Sequence, residues 1–270
     1  MKYLTSTLLI LCLITLTTSF SPQKQAKVMK KQGFVFVPSG ATTVDGINLT
    51  INGFYMQAGE VTNKEYRTFL EDLKAKGKTA EYEVANVQSE KWILPYSSLE
   101  EMKEHYFTHP AFDNYPVVNI SQQAARLYCT WLEEQLKANG VGAKVRLPEK
   151  AEWVYAAHGG IQGSIYPWEG NELRNKKGIY LANYKTSSLS EDGAYMTAIS
   201  KSYFPNGFDL YNMSGNVSEW ISTDGETKGG NWWSEPEYLR IDAAQEFPYS
   251  TEASPFIGFR TVVTVTSLVK

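Results

Sequence analysis

Apolar positions recur at helical spacing in three separate stretches of the chain. The first stretch, residues 54–77, is predicted to begin as a strand and continue as a helix. A second helix is predicted within residues 119–140, and residues 145–160 predict a short strand followed by a third helix. The apolar positions of the first helix follow the i, i+3, i+4, i+7 pattern and are Tyr66, Phe69, Leu70 and Leu73. Each helix should therefore place one face against a shared core.

The ends of these helices carry recognisable capping signals. Thr62 and Glu65 form a T-x-x-E capping box, in which each side chain satisfies a free backbone N–H of the first turn. Ser121 is a plausible N-cap of the second helix, while Gly77 and Gly140 are suitable stops.

Regular periodicity fades after residue 160, where the chain becomes rich in Gly, Asn, Tyr and Ser. A compact domain rarely tolerates so much irregular backbone unless something organises it, because buried peptide groups need partners. Bound cations that collect carbonyl oxygens are one solution. Strand patterns at 33–46 and 258–265 enclose the helices and this segment, so we predict one mixed α+β domain over residues 33–266.

Composition and charge exclude several classes of protein. The chain is 43% hydrophobic and 20% charged, which is ordinary globular composition rather than that of a disordered chain. Its net charge of -3 provides no basic footprint, so no nucleic-acid partner is expected. Residues 20–32 are polar and lysine-bearing, and we interpret them as a flexible lead-in.

The N-terminus, MKYLTSTLLILCLITLTTSF, predicts a secretory signal peptide over residues 1–19. Its apolar run is shorter than the roughly 20 residues that span a bilayer. Attachment to a membrane is expected only if Cys12 is lipidated, and Leu11 disfavours this because a small residue is wanted there. Cleavage would leave Cys129 without a partner, so no internal disulfide is expected.

Common catalytic motifs are missing from the sequence. There is no G-x-S-x-G, P-loop, G-x-G-x-x-G, H-E-x-x-H or C-x-x-C pattern. His105 and His109 are better interpreted as loop residues than as zinc ligands, since Pro110 argues against a helix there. Cys129 lies on the apolar face of the second helix and is interpreted as a structural thiol.

An ordered set of segments resembles the formylglycine-generating enzyme (sulfatase-modifying factor) family. The segments are FYMQAGEVTNKEYRTFL, YPVVNISQQAARLYCTWL, RLPEKAEWVYAAHGG, YPWEGNE, FPNGFDLYNMSGNVSEW, KGGNWW and GFR, between about residues 34 and 263. The resemblance implies an elaborated C-type-lectin-like α+β fold with much irregular structure. The stretch HYFTHPAFDNYPVVNIS looks most like members associated with the bacterial cell envelope, which include gliding and secretion components.

The family's oxidases convert a protein cysteine to formylglycine with copper, which two cysteines five residues apart bind as thiolates. The matching positions here are Ser234 and Leu239, and neither side chain suits Cu(I), which selects soft thiolates. Ser218 and Asn231 also replace a tryptophan and a serine of the oxidase site. The resemblance therefore implies no bound copper and a chain leaning away from catalysis.

The family's two calcium sites are better matched. Calcium accepts a mixture of side-chain and carbonyl oxygens, and such ions would organise the irregular half of the chain. The residues that match the first site are Asn183, Tyr184, Asp192 and Ala194, and those that match the second are Asn212, Gly215, Val217 and Glu219. Without the resemblance, the Asn and Asp residues would be interpreted as turn formers.

These observations favour a non-catalytic binding or scaffold protein, exported to the periplasm or beyond. Its partners would be envelope proteins, with homologous scaffold subunits as one option. The expected binding cleft is the former active site, lined by Asn231, Trp232, Trp233, Ser234, Arg240 and Arg260. At least one of the two indoles is expected to belong to the core. The alternatives are an oxidase with a non-standard site and a calcium-dependent glycan-binding module.

Overall fold

The structure, a computed structural model, describes residues 22–92, 103, 105–186, 191, 194–247 and 249–268. The signal-peptide prediction and Cys12 lie outside these ranges. Within them, no helix is long and apolar enough to cross a membrane. The α-helices are α1 (Pro22–Lys31), α2 (Asn63–Ala75), α3 (Thr79–Ala85), α4 (Gln122–Ala138) and α5 (Lys150–His158). Short 3₁₀ turns occur at Ser89–Lys91, Pro110–Phe112 and Pro236–Leu239.

Two antiparallel sheets and a mixed sheet complete the fold. The largest has the strand order β1 (Phe34–Val37), β4 (Phe54–Gln57), β9 (Val262–Leu268) and β5 (Val141–Arg146). Strands β2 (Gly40–Val44) and β3 (Ile47–Ile51) form a separate hairpin. In the third sheet, β6 (Ser218–Trp220) pairs antiparallel with β7 (Thr227–Lys228) and parallel with β8 (Ile257–Gly258). Because β9 pairs with β4, the C-terminal strand closes the domain against its N-terminal part.

The three predicted helices form as α2, α4 and α5, but only α2 and α4 share one core, since α5 packs Trp153 and Val154 into a separate cluster. Tyr66, Phe69, Leu70 and Leu73 of α2 are all buried, and the rings of Tyr66 and Tyr128 stack with centroids 5.8 Å apart between α2 and α4. The capping box also forms, since Thr62 and Glu65 each accept the other's backbone N–H. This core excludes water from Cys129, and burial raises the pKa of its thiol to about 12, as befits a structural residue.

The described part of the lead-in, from residue 22 onwards, is helical, whereas composition suggested a flexible segment over residues 20–32. Residues Pro22–Lys31 form α1, which packs beside β1. Met29 is fully buried in the same core cluster as Phe34, and Val28 packs against that cluster. The lysines of α1 mask this apolar contact in the sequence, because a single buried methionine gives little periodicity.

Asparagine side chains organise much of the irregular half of the chain. Buried Asn206 donates to the carbonyl of Ala156 at 2.8 Å and accepts the backbone N–H groups of Phe208 and Leu210. Asn212 and Asn216 adopt positive φ angles of 52° and 67°, a region in which asparagine is less strained than most residues. Side-chain amides therefore supply part of the hydrogen bonding that irregular backbone requires.

Candidate functional site

The segment after β7 forms the floor of the candidate site, and two glycines set its path. Gly229 and Gly230 have φ angles of 100° and 68°, which L side chains rarely adopt. A Cβ on Gly229 would lie 3.1 Å from the Trp153 ring, and one on Gly230 would lie 2.9 Å from the carbonyl oxygen of Tyr238. A side chain at either position would therefore collide with its neighbours, and only glycine lets the backbone pass this close to Trp153 and Tyr238.

Ser234, at the position of the first oxidase thiolate, is held in a closed hydrogen-bond network. Its Oγ accepts the Asn231 backbone N–H at 2.9 Å and donates to Glu246 Oε2. The Asn231 amide nitrogen donates to Ser218 Oγ at 3.3 Å and to the same Glu246 oxygen at 3.4 Å. Partial burial raises the pKa of the Glu246 carboxyl. Ser234 and Asn231 have no exposed surface, so this network fills the floor.

Glu246 is a functional neighbour that the sequence analysis missed. It provides Ser234 with the acidic partner that no nearby motif supplied. A serine bonded to a carboxylate could in principle act as a nucleophile, but Ser234 is 0% exposed and no substrate atom can approach its Oγ. The Ser234–Glu246 pair therefore cannot act on a substrate in this structure.

The two tryptophans divide as expected, one inside and one at the surface. Trp232 is buried, donates from Nε1 to the carbonyl of Pro255 at 3.2 Å and packs on Phe256. Trp233 is partly exposed, and Lys185 Nζ lies 5.5 Å from its ring centroid. The division follows from a turn held by Asn231, whose side-chain oxygen accepts the Trp233 backbone N–H at 2.9 Å.

Arg260 does not line a cleft, contrary to the expectation from the sequence. It is fully buried and donates from Nε and Nη2 to the Glu219 carboxylate, at distances between 2.6 and 2.9 Å. Arg240 does reach the surface, with 43% of its side chain exposed, and pairs with Asp242. Of the six residues proposed for the cleft, only Trp233 and Arg240 present appreciable side-chain surface, so the cleft does not form as a single lined surface.

A second buried carboxylate lies beside this ion pair. Glu60, 1% exposed, accepts from Asn216 Nδ2 at 2.8 Å and from Asn212 Nδ2 at 3.2 Å. Burial raises the pKa of Glu60 and Glu219 raises it further, whereas the guanidinium of Arg260 opposes both effects. The cluster of Glu60, Glu219 and Arg260 carries one more acidic group than basic groups.

The first proposed calcium site is only partly within the described residues, since Asp192 lies outside them. Asn183 is buried, and its amide nitrogen donates to the carbonyl of Met196 at 2.7 Å. The same nitrogen donates to Asn216 Oδ1 at 3.2 Å, so both of its hydrogens are used. The oxygen is the one atom of this carboxamide that a cation can bind.

The second proposed calcium site does not fit this structure. Glu219, its expected anionic ligand, already accepts from Arg260 and from Trp153 Nε1 at 2.9 Å. The amide nitrogen of Asn212 is directed to Glu60 rather than to Glu219. A divalent cation bound by Glu219 would lie next to a guanidinium, which opposes its binding.

The side chains at the two copper-ligand positions do not suit copper either. Ser234 offers a hydroxyl oxygen, and Leu239 is a fully buried hydrocarbon packed with Tyr166 and Ala182. Cu(I) selects thiolate and thioether ligands, so neither side chain replaces the missing pair. Within the described ranges Cys129 is the only thiol, and it lies in the core on α4.

A pocket of about 430 Å³ opens beside the floor, between β7 on one side and residues 242–247 and Tyr249 on the other. Its lining includes Lys150, Lys228, Glu226, Asp242 and Glu246. Lys228 Nζ donates to the carbonyl of Ala243 at 2.7 Å, so the lysine ties the floor to the facing segment.

Known proteins are similar to this chain over most of its length. Residues 19–265 match the sulfatase-modifying factor enzyme 1-like domain. The formylglycine-generating enzyme of Mus musculus is 31% identical over 213 residues, which are 69% of this chain and 51% of the mouse protein. The inactive C-alpha-formylglycine-generating enzyme 2 of Bos taurus is 26% identical over 201 residues, which are 65% of this chain and 61% of the bovine protein.

The solved structure of PvdO from Pseudomonas aeruginosa has the same fold. Its TM-score is 0.59 at 22% identity, over 85% of this chain and 93% of that chain. The elaborated α+β fold expected from the sequence is thus confirmed. The chain spans about half the length of the mouse enzyme, so the activity of that whole protein does not transfer to it directly.

Proposed function

This chain belongs to the sulfatase-modifying factor family, and from that premise we propose that it is a non-catalytic member that binds a protein partner in the cell envelope. One observation carries the proposal. Ser234, at the position of the first copper-binding cysteine, is buried and hydrogen-bonded to Asn231 and Glu246. Leu239, at the position of the second cysteine, is a buried hydrocarbon side chain. Such a floor holds a shape but offers no redox centre.

Loss of activity on a retained fold has a parallel among the chain's relatives. The bovine relative is itself named inactive, and this chain is similar both to it and to formylglycine-generating enzymes. A fold does not by itself establish a function, so the argument rests on the residues of the floor. The predicted signal peptide at residues 1–19 supports export, and an envelope partner or a homologous subunit is the binding partner we propose.

The proposed contact surface centres on Trp233. Its indole is partly exposed, Lys185 lies over it, and Lys185 also pairs with Glu235 at 2.5 Å. An indole held by neighbouring charges loses little entropy on binding, and tryptophan is common at the centre of interfaces. Trp233→Ala should therefore weaken capture of envelope proteins at least tenfold while leaving the fold intact. Phe204→Ala, at an exposed aromatic residue outside this surface, is the matched control. Equal capture by the wild type and a folded Trp233→Ala variant would refute this surface.

An aldehyde-formation assay tests the proposal that the protein lacks oxidase activity. Mature protein is incubated with Cu(I), oxygen and a cysteine-containing sulfatase-motif peptide, and aldehyde is followed by mass spectrometry. The wild type should give no product, with a family oxidase run alongside as the positive control. The double variant Ser234→Cys/Leu239→Cys tests whether the framework still positions two thiolates, by its Cu(I) affinity. Aldehyde formed by the wild type would overturn the proposal.

We also propose one calcium ion at the first site, held by the side chains of Asn183 and Asp192 and the carbonyl oxygens of Tyr184 and Ala194. Asn183 supports it, because its carboxamide is buried and its nitrogen is fixed by hydrogen bonds to Met196 and Asn216. The ion would tie together backbone that forms no regular element, and its role would be structural.

A further inference from the structure

Lys228 is a buried amine that faces the pocket beside the floor. The residue is only 6% exposed, yet it lines both the 430 Å³ pocket and a water-sized cavity of about 10 Å³ beneath it. Apart from the hydrogen bond to Ala243 that ties the floor to the facing segment, this side chain has no role in the proposed binding surface. Its position at a boundary between core and pocket is unusual, because lysine is rarely buried without a charged partner.

The surroundings of Lys228 compensate its charge only in part, since Asp242, Asp45 and Glu226 act on it from beyond ion-pair distance. An ammonium group has three donors, and within the described residues Nζ has one acceptor, the carbonyl oxygen of Ala243. No carboxylate in those residues lies within ion-pair distance of it. Its other close neighbour is the ring of Trp153, with the centroid 5.7 Å from Nζ. The charged form is therefore poorly solvated at this position.

Poor solvation of the ammonium favours the neutral amine, which is the nucleophilic form. Burial, together with the nearby charge of Lys150, lowers the pKa of Lys228 to about 8, although the carboxylates of Asp242, Asp45 and Glu226 oppose the shift. At pH 7.5 about a quarter of such an amine is neutral, compared with about one part in a thousand for an ordinary lysine. Desolvated lysines of this kind are the ones that form Schiff bases in proteins.

We propose that Lys228 is a covalent binding site for a small, uncharged aldehyde or ketone. The amine nitrogen attacks the carbonyl carbon to form a carbinolamine, which loses one water molecule and leaves an imine. No oxidant or reductant takes part in this step. Glu246 lines the same pocket, and because burial raises the pKa of its carboxyl, it is the group placed to protonate the departing hydroxyl.

The lining of the pocket narrows the class of ligand. Asp45, Glu226, Asp242 and Glu246 outnumber the two lysines, so an anionic carbonyl compound such as an α-keto acid is disfavoured. The pocket also holds an internal control. Lys150 lines it too, but its Nζ pairs with Asp45 at 2.8 Å, and this pairing raises the pKa of Lys150.

The experiment compares lysines within one folded protein. Mature protein at pH 7.5 is titrated with propanal, imines are reduced with cyanoborohydride, and the propylated lysines are mapped by mass spectrometry. Lys228 should be half-modified at a propanal concentration at least tenfold below that needed for Lys150 and the exposed lysines. Labelling of urea-unfolded protein should remove this preference.

Variants separate a reactive site from a merely buried lysine. Lys228→Met should abolish the modification at low concentration, whereas Lys150→Met should retain it. If Lys228 in the folded wild type reacts no faster than Lys150, the proposal is wrong, whatever the stability of the variants. The outcome is independent of partner binding and of the oxidase test.

Discussion

Replacement of Arg260 by methionine should destabilise the domain more than any change at a surface charge. The guanidinium is fully buried, bonds to both oxygens of Glu219, and donates from Nη2 to the carbonyl of Tyr211 at 2.8 Å. Methionine fills a similar volume but removes the charge. Glu219 and Glu60 would then remain as two buried carboxylates without a cation beside them.

The expected loss of stability depends on the burial of the ion pair and not on the number of its hydrogen bonds. Removal of one partner of a buried ion pair costs about 3–5 kcal/mol, because an uncompensated charge stays in the interior. A domain has about 5–15 kcal/mol of total stability, so the variant should lose a large part of it. Arg240→Met is the matched control, because its pair with Asp242 is exposed and should contribute about 0–1 kcal/mol.

The assay is urea unfolding at pH 7, followed by tryptophan fluorescence. The double variant Arg260→Met/Glu219→Gln should recover part of the loss, since it removes one of the stranded charges. The reasoning fails if Arg260→Met shifts the unfolding free energy no more than Arg240→Met does. It also fails if Glu219→Gln in the Arg260→Met background lowers stability further.

Three further predictions concern separate parts of the molecule. The folded pKa of Lys228, about 8, lies below its unfolded value of 10.5, so its burial penalty is complete below pH 8 and is relieved as pH rises to 10.5. The difference between these two pKa values sets an upper bound of about 3 kcal/mol on the free-energy penalty of burying the charge. In urea unfolding, Lys228→Met should therefore be more stable than wild type at pH 7, and this advantage should shrink above pH 8. A constant advantage would contradict the prediction. Removal of calcium by a chelator should lower the thermal midpoint of the wild type but not that of Asn183→Ala, and calorimetry that finds equal shifts would exclude the first calcium site. Thr62→Ala should cost about 1 kcal/mol by loss of the capping box, while Thr68→Ala, whose hydroxyl only reaches a carbonyl of its own helix, should cost less than half of that in the same assay.

Local signals explain which parts of the fold the sequence predicted well. The apolar stripe of α2 and its capping box act within one helix, so their spacing carries the information. The buried methionine of α1 carries no such period, and composition alone suggested a flexible segment there. Tertiary packing overrides composition where a single side chain finds a place in the core.

The candidate site depends on contacts between residues far apart in the sequence. Glu219 and Arg260 are 41 positions apart, and Glu60 and Asn216 are 156 positions apart. A motif that contains Glu219 shows a carboxylate but not its partner, so a ligand role and an ion pair look alike. Glu246 was missed for the same reason, since it lies 12 positions from Ser234 in a segment without periodicity.

The floor keeps its shape for reasons that do not involve a metal. Gly229 and Gly230 fix the backbone by their φ angles and by close contact with Trp153 and Tyr238. Asn231 then holds the following turn through its own side chain. These contacts hold the floor without a thiolate, so the contact surface proposed around Trp233 rests on a framework whose geometry is set by glycine and asparagine.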